Sequence, residues 1–351
     1  MTSSPLHVRG SGRSSGRAVE RSSGRAVERS SNGMVERSSS GMVERAGADM
    51  KAVTVTESGG PEVLRVVEVP DPEPGPGQVR VRVYAAGVQP VDLAIREGFR
   101  PPGVTAEPPF VLGNEFAGVV ERLGPDSGHW AVGDEVLGFR LLHSQAELVT
   151  VDAAQLVAKP AGMPWEQAGS LSASGQTAHV ALTLLGVGPG DTVLVHGASG
   201  GVGTVAVQLA LAWGATAVGT ASERNHAYLR ELGAVPVAYG EGLVERVRAA
   251  APQGVTAAFD AAGRGALEAS VELVADLNRI GTVVDYPGAR RLGVRQLRAP
   301  RTAERLAELV RLWESGGLRL EVSEALPLER AAEAHRLVGT GHVRGKVVLT
   351  M

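Results

Sequence analysis

The sequence predicts an α/β protein with two globular parts: a β-rich domain, then a doubly wound parallel sheet. Three observations carry this. An apolar run, Thr192-Val193-Leu194-Val195, leads through His196 into the Gly-rich turn Gly197-Ala198-Ser199-Gly200-Gly201-Val202-Gly203, and a helical pattern follows through Trp213. From about Leu171 onward helix and strand patterns alternate, as in a parallel sheet with crossover helices. Before Leu171 the chain is a series of strand-like runs cut by Pro and Gly.

The first 49 residues are of a different kind. An octapeptide repeats four times, RSSGRAVE at 13–20 and 21–28, RSSNGMVE at 29–36 and RSSSGMVE at 37–44. Each copy offers one short apolar element, too little buried surface to offset the entropy of ordering the chain, so the segment is expected to be disordered. Glu20, Glu28, Glu36 and Glu44 argue against a transit peptide, which should lack acids. The abrupt globular pattern at Met50-Lys51-Ala52-Val53 makes Met50 the expected natural start. The extension carries +3 and the remainder −6.

Strand patterns then run over 51–56, 64–69, 78–86, 116–123, 135–139 and 146–151, with a short helix over 91–97. The alternating part reads as helix 176–185, strand 192–195, helix 202–213, strand 216–220, helix 224–232, strand 235–238 and helix 243–250. Strand 255–259, helix 266–275 and strand 279–284 complete it. Helices over 303–315 and 328–338 follow, and a last strand over 346–350 is expected to return to the first domain. The resulting division is 1–49 as an extension, 50–171 with 300–351 as one domain, and 172–299 as the domain of the Gly-rich turn.

Composition narrows the functional classes. Hydrophobic residues make up 43% of 351, enough for a sizeable core, and with aromatics at 4% that core must be built from Val, Leu and Ala. The net charge of −3 gives no electrostatic footprint for nucleic acid or an acidic membrane. The absence of cysteine excludes disulfides, thiolate zinc sites and a Cys nucleophile. It fits a reducing compartment, and a cytoplasmic location is expected. No run of about 18 apolar residues is present to span a membrane.

The Gly-rich turn carries the chemistry. Strand, tight turn and helix start in that order build a phosphate site, because glycines let the backbone approach and the free N–H groups favour negative charge. Such sheets select NAD through an acid near the end of the second strand, about 20 residues past the glycines. Here that strand ends Gly219-Thr220-Ala221-Ser222-Glu223-Arg224. The tip is small and neutral, Ser222 can donate a hydrogen bond and Arg224 can pair with a 2′-phosphate, which favours NADP. Glu223 either caps the next helix or faces the ribose.

Several motifs together resemble the medium-chain dehydrogenase/reductase superfamily, in its zinc-independent quinone oxidoreductase-like branch. They are Met50-Lys51-Ala52-Val53, Gly87-Val88-Gln89-Pro90-Val91-Asp92, Leu112-Gly113-Asn114-Glu115-Phe116-Ala117-Gly118, Val132-Gly133-Asp134-Glu135-Val136, the Gly-rich turn with Gln208-Leu209-Ala210, and Gly345-Lys346-Val347-Val348-Leu349. The resemblance spans 50–351. It implies a chaperonin-10-like catalytic domain beside a Rossmann domain, with NADP(H) in the cleft between them. Ser199, Gly200, Gly201, Val202 and Gly203 would hold the pyrophosphate and Tyr239 would lie by the adenosine. Thr177 and Asp285-Tyr286 would flank the nicotinamide. Zinc-dependent relatives place a Cys in the G-V-x-x-x-D segment and a His before the Glu of G-H-E. Here Gln89 or Pro90 and Asn114 stand there, so no metal is expected.

The expected activity is NADPH-dependent reduction of a quinone or an α,β-unsaturated carbonyl, with Gln89 as a donor to the substrate and Tyr286 as a pocket wall. Asp92 is expected to order its loop. Two other readings stay open: an enoyl-thioester reductase of the same superfamily, and a non-enzymatic NADPH sensor or RNA-binding protein. By analogy the chain is expected to form a homodimer, with no membrane or nucleic-acid partner.

Overall fold

The computed structural model describes residues 49–104 and 108–351. The octapeptide repeats, and the disorder expected of them, lie outside the described residues. Asp49 and Met50 already belong to strand β1 (Asp49–Val55), which pairs antiparallel with β2 (Leu64–Pro70). Strand β3 (Gln78–Val88) is the longest of the N-terminal part, and Val79, Val81 and Val83 are buried along it. Helix α1 (Pro90–Arg96) opens where Pro90 presets the backbone and Asp92 Oδ2 accepts the Gln89 N–H at 2.8 Å. Strands β4 (Phe110–Val111), β5 (Glu115–Leu123), β6 (Glu135–Phe139), β7 (Leu148–Asp152) and β8 (Leu156–Ala158) follow.

Helix α2 (Trp165–Leu184) begins eleven residues before the expected start at 176. Its first half, Gly169-Ser170-Leu171-Ser172-Ala173-Ser174-Gly175, is buried on every side and has no apolar stripe to read. Small residues are needed there because neighbours come close: a Cβ on Gly169 would stand 2.7 Å from the Ala85 carbonyl carbon. The domain boundary expected between 171 and 172 therefore falls inside a helix, which both parts use as packing surface.

The parallel sheet then unfolds in alternation: β9 (Thr192–His196), α3 (Gly201–Ala212), β10 (Thr216–Ala221), α4 (His226–Glu231), β11 (Val235–Ala238), α5 (Leu243–Ala250), β12 (Ala257–Asp260), α6 (Ala266–Leu273) and β13 (Ile280–Thr282). The expected strand 279–284 is shorter than read, because Val284 and Asp285 turn into α7 (Tyr286–Leu292), a helix the sequence reading missed. Its signals were nonetheless local: Asp285 caps the start, Pro287 sits in the first turn, and Gly293 ends it at φ 69°. The short β14 (Arg295–Gln296) closes the sheet, with strand order β11-β10-β9-β12-β13-β14. That is the 3-2-1-4-5-6 order of a Rossmann sheet, with its switch point between β9 and β12. Strand β9 is buried at every residue, as expected for a strand covered on both faces.

Helix α8 (Ala303–Glu314) inserts Leu306, Leu309 and Val310 into the core shared with Val195, Val205, Leu171 and Leu137. Strand β15 (Val322–Pro327), helix α9 (Ala331–Gly339) and strand β16 (Lys346–Thr350) complete the chain. Strand β16 does return to the first domain, pairing antiparallel with β3. The first domain's main sheet runs β15-β16-β3-β5-β6-β8, with β7 also paired to β3, beside the three-stranded β2-β1-β4 sheet. Among the described residues no helix is long and apolar enough to cross a membrane.

Candidate active site

The Gly-rich turn sits at the carboxyl end of β9, at the switch point. Gly197 adopts φ 73°, which favours glycine, and its N–H meets Thr220 Oγ1 at 3.2 Å. A Cβ on Gly203 would stand 2.6 Å from the Ala198 Cα and 2.8 Å from the Gly197 carbonyl carbon, so helix α3 can approach the turn only with glycine there. A Cβ on Gly200 would meet nothing nearer than the Gly197 oxygen at 3.5 Å. The space in front of the helix start is thus open, and the N–H groups of Gly201, Val202 and Gly203 precede the first intrahelical acceptor. This is a cradle that fits an anionic pyrophosphate.

Polar side chains extend the cradle. Asn225, which the sequence reading did not single out, donates from Nδ2 to Ser199 Oγ at 3.0 Å and Ser222 Oγ at 3.3 Å. It ties the Gly-rich turn to the tip of β10. Arg224 is exposed there and donates from Nη2 to the His342 carbonyl at 2.8 Å, while Glu223 is exposed at the start of a short 3-10 turn. Tyr239 is 53% exposed just past β11. Thr177 lies on α2 with its hydroxyl donated to the Ala173 carbonyl at 2.7 Å. At the tips of β12 and β13, Asp260 accepts the Thr282 hydroxyl at 2.7 Å, and that oxygen accepts the Val284 and Asp285 N–H groups. Asp285 in turn caps α7 by accepting the Gly288 N–H at 2.8 Å. Tyr286 places its ring 3.8 Å under the Arg298 guanidinium.

A buried charged cluster adjoins the turn. Lys346 Nζ bonds Glu115 Oε1 at 2.9 Å and Ser174 Oγ at 3.1 Å, and both side chains of the ion pair are essentially out of water. The Lys346 stem lies along the turn, since a Cβ on Gly201 would be 2.6 Å from its Cδ. Glu115 Oε2 accepts the Ala173 N–H at 2.5 Å, and Oε1 also accepts Gln89 Nε2. Gln89 is 7% exposed with its amide nitrogen turned to Glu115. One of its two amide N–H groups thus supports that carboxylate, a contact the sequence did not suggest.

Asp92 completes the cluster. Its carboxylate accepts from the Gln89 N–H, from Asn114 Nδ2 at 3.2 Å and from Gln145 Nε2 at 3.3 Å. Burial outweighs these donors and pushes its pKa from 3.8 up to about 7. Asn114 is gripped from the other side by Arg301, with Nη1 on its carbonyl at 2.7 Å and Nη2 on its Oδ1 at 2.9 Å. Burial holds the Arg301 pKa below its usual value.

Two family models match the chain, the alcohol dehydrogenase GroES-like domain over residues 75–181 and the zinc-binding dehydrogenase model over 232–349. The quinone oxidoreductase of Salmonella typhimurium is 32% identical over 323 residues, 83% of this chain and 96% of that one. The chain belongs to the medium-chain dehydrogenase/reductase superfamily, in its quinone oxidoreductase-like branch. A mycobacterial protein solved in complex with NADPH superposes with a TM-score of 0.76 at 33% identity, over 86% of this chain and 100% of that one. The pikromycin polyketide synthase component PikAII of Streptomyces venezuelae is 36% identical over 291 residues, 77% of this chain. The chain spans only 8% of that relative's length.

The superfamily includes zinc enzymes, and the residues present do not fit that metal. Gln89 and Asn114 offer amides where zinc-dependent members offer Cys and His, and the neighbouring Glu115 is already neutralised by Lys346. Among the described residues no group of three His, Cys, Asp or Glu side chains could hold a metal ion. Among the histidines, His179 pairs with Glu308 and His196 with Ser270. His129 packs at a tilt against Trp130, and burial lowers the His143 pKa to about 4.

Proposed function

We propose that this oxidoreductase reduces quinones or α,β-unsaturated carbonyls with NADPH and without a metal ion. The observation that carries the reading is the buried Lys346–Glu115 pair, with Gln89 and Asn114, standing beside an open Gly-rich cradle where zinc relatives hold their ion. Alcohol oxidation needs an electrophile to stabilise an alkoxide, and no metal-ligand set serves that purpose among the described residues. Reduction of a conjugated carbonyl needs less, because its charge is delocalised in an enolate or phenolate.

When bound, NADPH supplies the hydride. The chain's own residues do the rest. Ser199 and the 200–203 turn receive the pyrophosphate, Ser222, Asn225 and Arg224 face the 2′-phosphorylated ribose, and Tyr239 covers the adenosine. Thr177 and Asp285 lie on the nicotinamide side, with Tyr286 as a wall, and the protein's main contribution is to hold two flat reactants together. The mycobacterial relative solved with NADPH and the neutral tip of β10 both support this nucleotide. A homodimer fits as well, through the free edge of β14.

The likeness to PikAII favours one second reading, reduction of an enoyl thioester. A panel of quinones, free enones and enoyl thioesters, each with NADPH and NADH, separates the two. Turnover confined to thioesters supports the second reading, and turnover of quinones or free enones with NADPH supports the first.

A further inference from the structure

Arg301 has no counterpart in the sequence reading, yet it is the most unusual cation of the site. Its two hydrogen bonds go to neutral oxygens, the carbonyl and Oδ1 of Asn114. The two carboxylates of the cluster are satisfied elsewhere, Glu115 by Lys346 and Gln89, and Asp92 by three N–H donors. Its Nε–H makes no hydrogen bond among the described residues, and Nε is not fully sealed from the surface. A charge drawn partly out of water, held rigidly and left with an unused donor is a group arranged for a ligand.

Its neighbours tie it to helix α2 and to the charged cluster. Helix α2 contributes one short stretch to everything around it. Ala173 N–H binds Glu115, Ser174 binds Lys346, and Gln176 Oε1 accepts the Thr302 N–H at 2.8 Å, directly after Arg301. Thr177, which the proposed binding mode puts on the nicotinamide side, is next along that helix. The Asn114 grip fixes the guanidinium plane, and Asn114 is itself fixed by Asp92. The cation is therefore bonded to the residue that stands where zinc-dependent members carry a metal-binding His.

We propose that the Arg301 guanidinium, held against Asn114, is the hydrogen-bond donor that takes the carbonyl oxygen of the acceptor. This rests on the reductase reading above. In the step it serves, a carbon of the acceptor takes a hydride and the carbonyl π pair moves onto oxygen as an enolate or phenolate. A proton from water completes the product, and the electron pair comes from the reduced nicotinamide, which is left oxidised. Arg301 binds the oxygen more strongly as its charge grows, which is how a donor accelerates a step instead of merely tightening binding.

The test uses the full chain as wild type, Arg301→Gln and Arg301→Lys, with thermal midpoints to confirm folding. With NADPH and a quinone or enone, Arg301→Gln should lose roughly a hundredfold in kcat, in the range seen for removal of one oxyanion donor. NADPH affinity should stay within about twofold, and Arg301→Lys should fall between, since an ammonium cannot make the two-pronged grip. A second readout needs no turnover: para-nitrophenol bound in the presence of NADP⁺ should show the phenolate spectrum at a pH where the free dye is mostly neutral, and Arg301→Gln should abolish that. Turnover within about threefold of wild type, or a dye whose spectrum is neutral or the same in both proteins, overturns the proposal. A wild type that consumes no NADPH with any acceptor overturns the reductase reading, while the dye still decides the role of Arg301.

Discussion

Two glycines of the same turn should fail in opposite ways when changed to alanine. In Gly203→Ala the new methyl meets backbone, 2.6 Å from the Ala198 Cα and 2.8 Å from the Gly197 carbonyl carbon. Carbon contacts are comfortable near 3.5–4.0 Å, so helix α3 must move by about 1 Å from a turn pinned through Gly197 and Gly200. Overpacking of this kind costs about 1–3 kcal/mol, and immovable backbone puts this site at the upper end. For about 300 folded residues that lowers the thermal midpoint by roughly 3–5 °C. In Gly200→Ala the backbone (φ −80°, ψ 175°) suits any residue and the nearest atom is 3.5 Å away. The stability change should stay within about 1 kcal/mol, the weaker helix cap and the less flexible unfolded chain opposing each other. Its methyl fills the cradle, so NADPH affinity should fall at least about tenfold, or about 1.4 kcal/mol. Differential scanning fluorimetry and NADPH fluorescence titration read the two effects separately. A Gly200→Ala protein that binds NADPH like wild type would refute the assignment of the turn to the pyrophosphate.

Other outcomes follow from the same geometry. Lys346→Met leaves Glu115 buried without its cation and should cost about 3–5 kcal/mol in a denaturant titration, with Glu115→Gln in the same chain restoring part of it. An unchanged midpoint would contradict the pairing. Asp92 holds its proton in the folded state up to about pH 7 but only to about 3.8 when unfolded. Its contribution to stability is therefore full in acid and declines as pH rises from about 4 to 7. The thermal midpoint of wild type minus that of Asp92→Asn should fall across that window and level off above it, and a difference that rises with pH would show the ionised form to be favoured. Arg224→Ala should weaken NADPH about tenfold and leave NADH nearly unchanged, since only the former carries the 2′-phosphate; equal loss for both would remove Arg224 from nucleotide selection.

Much of the fold is legible locally. Strands β11 and β16 and helix α5 fall where their apolar periods put them, because they are an edge strand, a returning strand and a crossover, each with one clear pattern. The start of α2 is not legible, because a helix buried on all sides by small residues has no period. Strand β15 is obscured by an irregularity between Val322 and Glu324 that breaks its alternation. The phosphate turn could be read because strand, glycines and helix are contiguous. The charged cluster could not. Gln89 meets Glu115 across 26 residues, and Arg301 reaches Asn114 across 187 residues of sequence. No local signal encodes such contacts.

In the proposed reaction electrons pass from NADPH to a conjugated carbonyl with no ion assisting. The most direct measurement is NADPH consumption by metal-analysed protein against quinones, enones and simple alcohols, with and without a strong chelator. Chelator-insensitive reduction of quinones or enones by protein free of stoichiometric metal is the predicted result. Alcohol oxidation that a chelator abolishes and zinc restores would contradict it.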